Sequence, residues 1–384
     1  MSAIAHADGV LFVVSATVPP ATGQPGPRKD YFGLQHSLDA TLLDYAWVDR
    51  SRSARMLARF FGKAVAQAWL AFRHRRAYRA ILTDGEHIGI PLALLLKLAR
   101  ARTPHVTIGH RLTASKKRPF FRWLRVHSHI SRIALHSRRQ YELATSDLRI
   151  PSEQVAFVPY QVDTEFWQPQ PVAEERLICS AGLEFRDYPT LVSAVQDLDL
   201  RVVIGAASHW SKRRNTAERG PRPTSVEVGS FDYVALRDLY ARSAVVVVPL
   251  EDIDFQAGVT TILEAMAMAK PVIVTHTLGQ TDVVEDRRTI TRGVEPRPRA
   301  ESLLRAFAHP AGVDLEPNGF YVPPGDPAAL GRAIAYLLEH PEERARLGAA
   351  GRRVVEQLMT TDQFASRMRD LVEQACSPVS AGAD

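Results

Sequence analysis

The sequence predicts an α/β protein built as two successive doubly wound parallel domains. Three observations predict it. Short β-branched runs alternate with helical stretches along the whole chain, the series breaks once near residues 164–176, and the two halves so divided are comparable in length. Alternation of this kind forms βαβ units and parallel sheets. At 384 residues the chain is too long for one ordinary core and comfortable for two.

The first series opens with Val10–Val14, a buried-strand pattern that runs into a Pro/Gly-rich stretch ending at Pro27. A basic helical region covers about Arg52 to Arg79. The strand Ala80–Leu82, the loop Thr83–Glu86 and a helix from Ile90 to Ala101 follow. His105–Ile108, Ile133–Leu135 and Val155–Val158 complete the strands of this half. Right-handed crossovers place the loops at the carboxyl ends of such strands along one edge, where ligands bind.

Phe166–Glu175 holds two prolines and no apolar period, so it reads as an interdomain linker. The second series has strands at Leu177–Ser180, Arg201–Ile204, Ala244–Val248 and Pro271–Val274. Its helices lie at Pro189–Gln196, Tyr233–Ala241, Val259–Met268 and Pro327–Glu339. Residues 285–318 are dense in Arg and Pro and read as an insertion. The expected domains are 1–165 and 166–360, with 361–384 a helix that packs back on the first domain and ends in a frayed tail.

Composition narrows the function classes. Hydrophobic residues make up 46% and charged residues 23%, the balance of a soluble globular protein. The formal charge of +6 suits anionic partners such as a nucleotide diphosphate, a phospholipid surface or nucleic acid. Cys179 and Cys376 lie far apart without metal-ligand spacing, which points to a reducing compartment. No secretory signal pattern is visible, and the longest apolar stretch, Ile88–Leu96, is far short of a membrane span. A cytoplasmic protein is expected.

Asp254–Ile273 carries the most chemistry: a glycine turn, a helix start, the helix body and entry into the next strand. Gly258 lets the backbone approach a ligand, and the amides of Val259, Thr260 and Thr261 have no intrahelical acceptor. Such an end attracts phosphate. Glu264 lies further along the same helix, where a carboxylate can accept hydrogen bonds from a vicinal diol such as ribose.

This stretch resembles the donor-site signature of glycosyltransferase family four, in which two glutamates eight positions apart flank a glycine turn and an E-A-M-A-x-G-x-P-V-I run follows. Glu264–Ile273 matches the second half, with Ala269 in place of the usual glycine. The resemblance implies that Glu264 holds the ribose. The first glutamate falls at Gln256, which faces the donor sugar in that family. Val158–Phe166 resembles the family's P-x-G-V-D-x-x-x-F segment, and Ala181–Leu191 its G-R-L-x-x-x-K-G segment. Gly182 then sits in the donor loop, Arg186 takes the place of the phosphate-binding lysine, and Leu183 replaces the partner arginine. Gly205 stands where the family has a nucleotide-side glycine. Thr277–Asp282 stands for its G-G-x-x-E turn, and Gly319–Asp326 matches G-x-L-V-x-P-x-D.

The resemblance implies a GT-B fold, two Rossmann-like domains facing across a cleft. It also implies retention of anomeric configuration and a nucleotide-sugar substrate of the UDP or GDP type with no other cofactor; because a basic side chain and helix-end amides can take the developing negative charge, no metal is needed. The acceptor is a small molecule, a glycan or a lipid-linked sugar. In the first half, His110 follows a predicted strand, and the family has a histidine there close to donor sugar and acceptor. Asp84 and Glu86 fit a helix N-cap and turn pair better than an acceptor contact.

Two basic stretches have open readings. Lys116–Arg125 mixes cations with aromatics and reads either as a peripheral membrane contact or as a solvated helix face. The loop Ser208–Arg214 either closes over the donor or is merely exposed. No nucleic-acid-binding module accompanies the charge. The rival functions are a nucleotide-sugar epimerase of the same fold and a GT-B-shaped binding or scaffold protein without catalysis. Gln256, Leu183 and the absence of a double glycine in the loop 21–26 favour the last.

Overall fold

The structure is a computed structural model and describes residues 9–18, 26–206, 215–218, 222–286 and 303–377. The loop Ser208–Arg214, most of the loop 21–26, the heart of the 285–318 insertion and the tail beyond residue 377 lie outside the described residues.

Two compact units divide the chain. One comprises residues up to Val158 together with the C-terminal helix, and the other takes the stretch 26–28 and Pro159–Thr361. The first unit contains β1 (Val10–Val13), α1 (Asp30–Ser37), β2 (Ala40–Leu43), α2 (Tyr45–Arg50), α3 (Arg52–Phe61) and α4 (Lys63–His74). It continues with β3 (Ala80–Thr83), α5 (Glu86–Leu98), β4 (His105–Gly109), α6 (Arg118–Arg122), β5 (Arg132–Leu135), α7 (Arg138–Ser146) and β6 (Val155–Phe157). The second unit contains β7 (Leu177–Ala181), α8 (Tyr188–Ala194), β8 (Arg201–Gly205), β9 (Val226–Gly229), α9 (Tyr233–Arg242) and β10 (Val245–Val248). Then come α10 (Val259–Ala267), β11 (Val272–Thr275), α11 (Leu303–Ala308), β12 (Gly319–Val322), α12 (Pro327–Glu339) and α13 (Pro341–Leu358). The last helix, α14 (Thr361–Cys376), packs on the first sheet through Phe364, Met368 and Val372.

Both sheets have six strands, in the orders β2-β1-β3-β4-β5-β6 and β12-β11-β10-β7-β8-β9, and the pairings within them are parallel. The predicted α/β class with two doubly wound sheets is what the chain forms. Strand order reverses between β1 and β3 in one sheet and between β7 and β10 in the other. Loops leaving the carboxyl ends at such a reversal diverge and open a crevice for a ligand.

Differences from the sequence reading have local causes. The basic helical region is two helices, because Gly62 adopts φ 88° and ψ 161°, a conformation open essentially to glycine alone. Strands β2, β9 and β12 were not anticipated; Val226–Gly229 is too short and too polar to carry a periodic signal. The stretch read as a linker begins inside the second core, and only the residues after Trp167 run largely exposed. Trp167 is buried among the aromatic rings of Phe166, Tyr233 and Tyr240, so the division falls at Val158 rather than at 165.

Ala269 explains its own departure from the family pattern. It sits at φ 54° just past the end of α10, while the Lys270 N–H reaches back to the Ala265 carbonyl at 2.9 Å. That is a left-handed helix stop, where a Cβ is strained and glycine is preferred. Ala269→Gly is therefore expected to stabilise the protein by roughly 0.5–1 kcal/mol after the entropy cost of glycine in the unfolded chain. A rise in the urea midpoint at unchanged slope would register it; a fall would show that the strain is relieved elsewhere.

Candidate functional site

In the second unit the reversal point brings two loops together. The loop after β7 starts at Gly182, whose φ of 97° needs a residue without Cβ, and ends at Asp187, which caps α8 by accepting from the Thr190 amide at 3.2 Å. It is pinned to the stretch just after β10 by Asp187 N–H to Pro249 O at 3.1 Å and Glu251 N–H to Phe185 O at 3.0 Å. This pinning folds the Arg186 side chain back beneath its own loop.

Arg186 is only 3% exposed. Its Nε donates to Ala181 O at 2.8 Å, Nη1 to Glu184 O at 2.9 Å and Nη2 to Thr261 Oγ1 at 3.1 Å. The Thr216 hydroxyl donates to its backbone carbonyl at 2.8 Å. Burial lowers the pKa of the guanidinium below the usual arginine range, against the opposing pull of Tyr188, Tyr240, Glu264 and Glu184. All three of its partners are neutral, and among the described residues no carboxylate forms an ion pair with it. Buried charges are ordinarily paired. An unpaired one with donors left over is a place for an anion.

An anion placed there would also meet the start of α10. Gly258 precedes the helix at φ 79°, and a Cβ there would stand 2.7 Å from Val248 Cγ1 and 3.2 Å from Arg186 Nη1. No side chain caps this end, and the first intrahelical bond runs from Ile262 N–H to Gly258 O at 3.0 Å. The amides of Val259, Thr260 and Thr261 thus point out of the helix beside the guanidinium. Thr260 is exposed at this end. Helix dipole and guanidinium act in the same direction on a phosphate.

Gln256 and Glu264 flank this anion cradle. Gln256 is 7% exposed, and its amide has no hydrogen-bond partner among the described residues. The loop holding it is braced from below. Gly279 lies so close to Phe255 that an added Cβ would come within 2.4 Å of its backbone, and Gln280 Nε2 donates to Ala257 O at 2.9 Å. The Glu264 carboxylate accepts from Tyr240 Oη at 3.2 Å. Burial, then the charge of Glu264, raise the Tyr240 phenol well above its usual range, so it remains a donor. Tyr240 gave no signal in the sequence, since a tyrosine in the last turn of a helix reads as core. Gly205 ends β8, and its carbonyl accepts the Gly182 N–H at 2.9 Å; it supports the loop.

In the first unit His110 is exposed at the end of β4. Its Nε2 lies 3.0 Å from Asp84 O, and its ring centroid is 5.8 Å from that of His136. The reading of Asp84 and Glu86 as N-cap and turn residues is corrected here. The α5 cap is Gly85, with no side-chain bond. Asp84 Oδ2 accepts from the Ser15 amide and hydroxyl across the β1–β3 reversal. Glu86 accepts from the backbone N–H groups of His110 and Arg111 at 2.9 and 3.0 Å and from Lys117 Nζ at 2.5 Å. It fixes the loop that carries His110. Spacing along the chain gave no hint of this, because the partners lie more than twenty residues away.

Burial works against the Glu86 charge, but Lys117, His110 and these hydrogen bonds bring its pKa down to about 2. Burial pushes the pKa of His105 down to about 4 and that of His136 to about 3. As pH falls, the unfolded chain takes protons before the native state does, from 6.5 at the histidines and from 4.5 at the glutamate. All three therefore contribute full stability above pH 6.5 and lose it toward acid, at about 1.4 kcal/mol per unit of separation. Urea midpoints should drop continuously from pH 7 to pH 4.5. A flat profile would contradict the burial of the two histidines.

Among the described residues no group of three or more His, Cys, Asp or Glu side chains is placed to hold a metal ion. No described helix is long and apolar enough to cross a membrane.

Residues 185–340, which span Arg186, Gln256, the start of α10 and Glu264, match the family model "Glycosyl transferases group 1". No curated protein matches the chain. Among solved structures, a glycosyltransferase from Rickettsia africae ESF-5 superposes with a TM-score of 0.66 at 13% identity, covering 96% of this chain and 98% of that one. Anabaena HepE in complex with UDP-glucose gives 0.66 at 13% identity, covering 95% and 99%. Sucrose-phosphate synthase from Thermosynechococcus elongatus gives 0.64 at 17% identity, covering 95% and 98%. At these identities the superpositions establish the fold. Residues 185–340 therefore match the glycosyl transferases group 1 model, and the chain as a whole has the GT-B fold of these solved structures.

Proposed function

We propose that the protein is a retaining, metal-independent glycosyltransferase that moves a sugar from a UDP- or GDP-type nucleotide sugar to an acceptor hydroxyl. The observation that carries this reading is the buried Arg186 guanidinium without a carboxylate partner, set against the uncapped start of α10. Arg186 and the amides of Val259, Thr260 and Thr261 hold the diphosphate, Glu264 the ribose, and Gln256 the hydroxyls of the donor sugar. His110 takes the acceptor side.

The chemistry follows from those roles. The bond between the anomeric carbon and the β-phosphate oxygen breaks, and the charge that develops on the phosphate falls on the guanidinium and the helix-end amides. The acceptor hydroxyl attacks from the face the phosphate leaves, and its proton passes to a phosphate oxygen. Fixed N–H donors do this work without a metal. The acceptor is a small molecule, a glycan or a lipid-linked sugar. The two unpaired cysteines agree with a cytoplasmic site of action, peripheral to a membrane when the acceptor is lipid-linked.

The test is a mass-spectrometric screen for slow hydrolysis across nucleotide sugars, starting with UDP-glucose because the Anabaena structure holds it. Release of a nucleoside diphosphate and free sugar from one donor supports transfer. An isomerised donor without release would identify an epimerase. Nucleotide binding without turnover of any donor, with or without acceptors, would identify a binding protein whose Gln256 has replaced a catalytic carboxylate.

A further inference from the structure

Taking the chain as a sugar transferase, as proposed above, we infer that the crevice at the β1–β3 reversal binds the acceptor through hydroxyl or ammonium groups. A neutral polyol or an amino sugar enters, and a sugar phosphate is turned away. Three loops of the first unit line this crevice. Ser15 follows β1, Asp84 follows β3 with His87 in the first turn of α5, and His110 follows β4. Gly85 lies between the two rings: an added Cβ would stand 2.5 Å from the ring of His87 and 3.8 Å from His110 Cδ2.

The hydrogen bonds already made decide what is left for a ligand. Ser15 donates its amide and its hydroxyl to Asp84 Oδ2, at 2.5 and 2.7 Å, so the serine oxygen keeps only lone pairs. Asp84 Oδ1 is buried and meets no donor among the described residues. A carboxylate oxygen in that position is costly until a donor reaches it. The Asp84 carbonyl, 3.0 Å from His110 Nε2, can only accept, which puts the ring proton on that nitrogen. The neutral ring then keeps a lone pair at Nδ1. Ser15 Oγ, Asp84 Oδ1 and His110 Nδ1 are therefore all acceptors, and the donors have to come from the ligand.

Charge points the same way. Burial raises the pKa of Asp84, and its bonds to Ser15, with His87 and His110, draw it back. Burial, then the Asp84 charge, raise the Tyr45 phenol above its usual range, and Asp30 at the start of α1 adds a second carboxylate within reach of that field. The cations nearby are engaged. Lys117 is bound to Glu86 at 2.5 Å, Lys63 sits over the Tyr45 ring at 4.5 Å, and Lys29 acts on Asp30. Burial holds His87 toward its neutral form, against the pull of Asp84 and Glu86. A hydroxyl or an ammonium supplies what Asp84 Oδ1 and His110 Nδ1 lack. A phosphate group brings further negative charge and acceptor oxygens, and like charges set face to face oppose binding.

The experiment incubates the full chain with the donor found in the hydrolysis screen and equimolar pairs that differ by one phosphate. The pairs are glucose with glucose 6-phosphate, glucosamine with glucosamine 6-phosphate, and inositol with inositol 1-phosphate, and products are read by mass. At least one neutral or amino member should be glycosylated at least about tenfold faster than its ester. Asp84→Asn should narrow that preference, since it removes the charge and adds a donor, and Asp84→Glu should restore part of it. High salt should narrow it in wild type but not in Asp84→Asn, a response that a merely structural role of Asp84 would not give. The wild-type comparison decides whether or not the variants fold. Equal or faster use of the esters overturns the inference and leaves transfer intact, as does donor hydrolysis without product from any pair. An unchanged preference in folded Asp84→Asn overturns it as well. If no donor is consumed, the transfer reading fails by itself. Calorimetric titration of the same pairs then decides the crevice: a neutral or amino member should still bind at least about tenfold more tightly than its ester, and equal or weaker binding contradicts the inference.

Discussion

Replacing Arg186 by alanine is expected to lower turnover of the donor at least tenfold, with most of the loss in kcat. The reason is where its charge sits. The guanidinium is buried beside the first turn of α10, with neutral partners, so in the proposed reaction its field would act on a leaving phosphate with little screening by water. Removing one such donor commonly costs two to three orders of magnitude in rate elsewhere. Alanine also strands the carbonyls of Ala181 and Glu184, so a drop in stability accompanies the loss. Arg186→Lys separates the two effects. It keeps the charge but cannot reach all three acceptors, and should recover part of the rate while remaining less stable than wild type. Steady-state kinetics with the donor found in the hydrolysis screen, read beside urea midpoints, checks both. Wild-type turnover in a folded Arg186→Ala protein would remove Arg186 from the site.

Glu264→Ala is expected to cost at least tenfold in turnover at subsaturating donor, mainly through KM, because a ribose contact is made in ground state and transition state alike. The substitution removes the acceptor of the Tyr240 hydroxyl, which is buried and held protonated. Tyr240→Phe serves as the control for that partner: it deletes the hydroxyl but leaves the carboxylate, and should change KM by less. Equal effects of the two substitutions would make Glu264 a structural partner of Tyr240 rather than a donor ligand.

Much of this site was legible in the sequence because its parts are local. A glycine turn, a helix start and a carboxylate six residues beyond the turn are set by backbone geometry within one segment, and Gly258–Glu264 adopts that geometry. The two reversal points follow from the alternation of strands and helices once the strand order is known. What the sequence withheld depends on contacts across the fold. Glu86 read as a turn residue because its partners, His110, Arg111 and Lys117, lie on a different loop. Trp167 read as linker because prolines surround it, although its ring is buried against Tyr240. Ala269 read as a small departure, and only its φ shows that glycine is the residue the turn prefers.

The most direct test of the diphosphate cradle is calorimetric titration of the wild-type protein with UDP, GDP and ADP, each beside its parent nucleoside. At least one diphosphate should bind, and at least a hundredfold more tightly than the nucleoside, since the guanidinium and helix-end amides act on the phosphates. Failure of every diphosphate to bind, or equal affinity for nucleoside and diphosphate, would contradict the account.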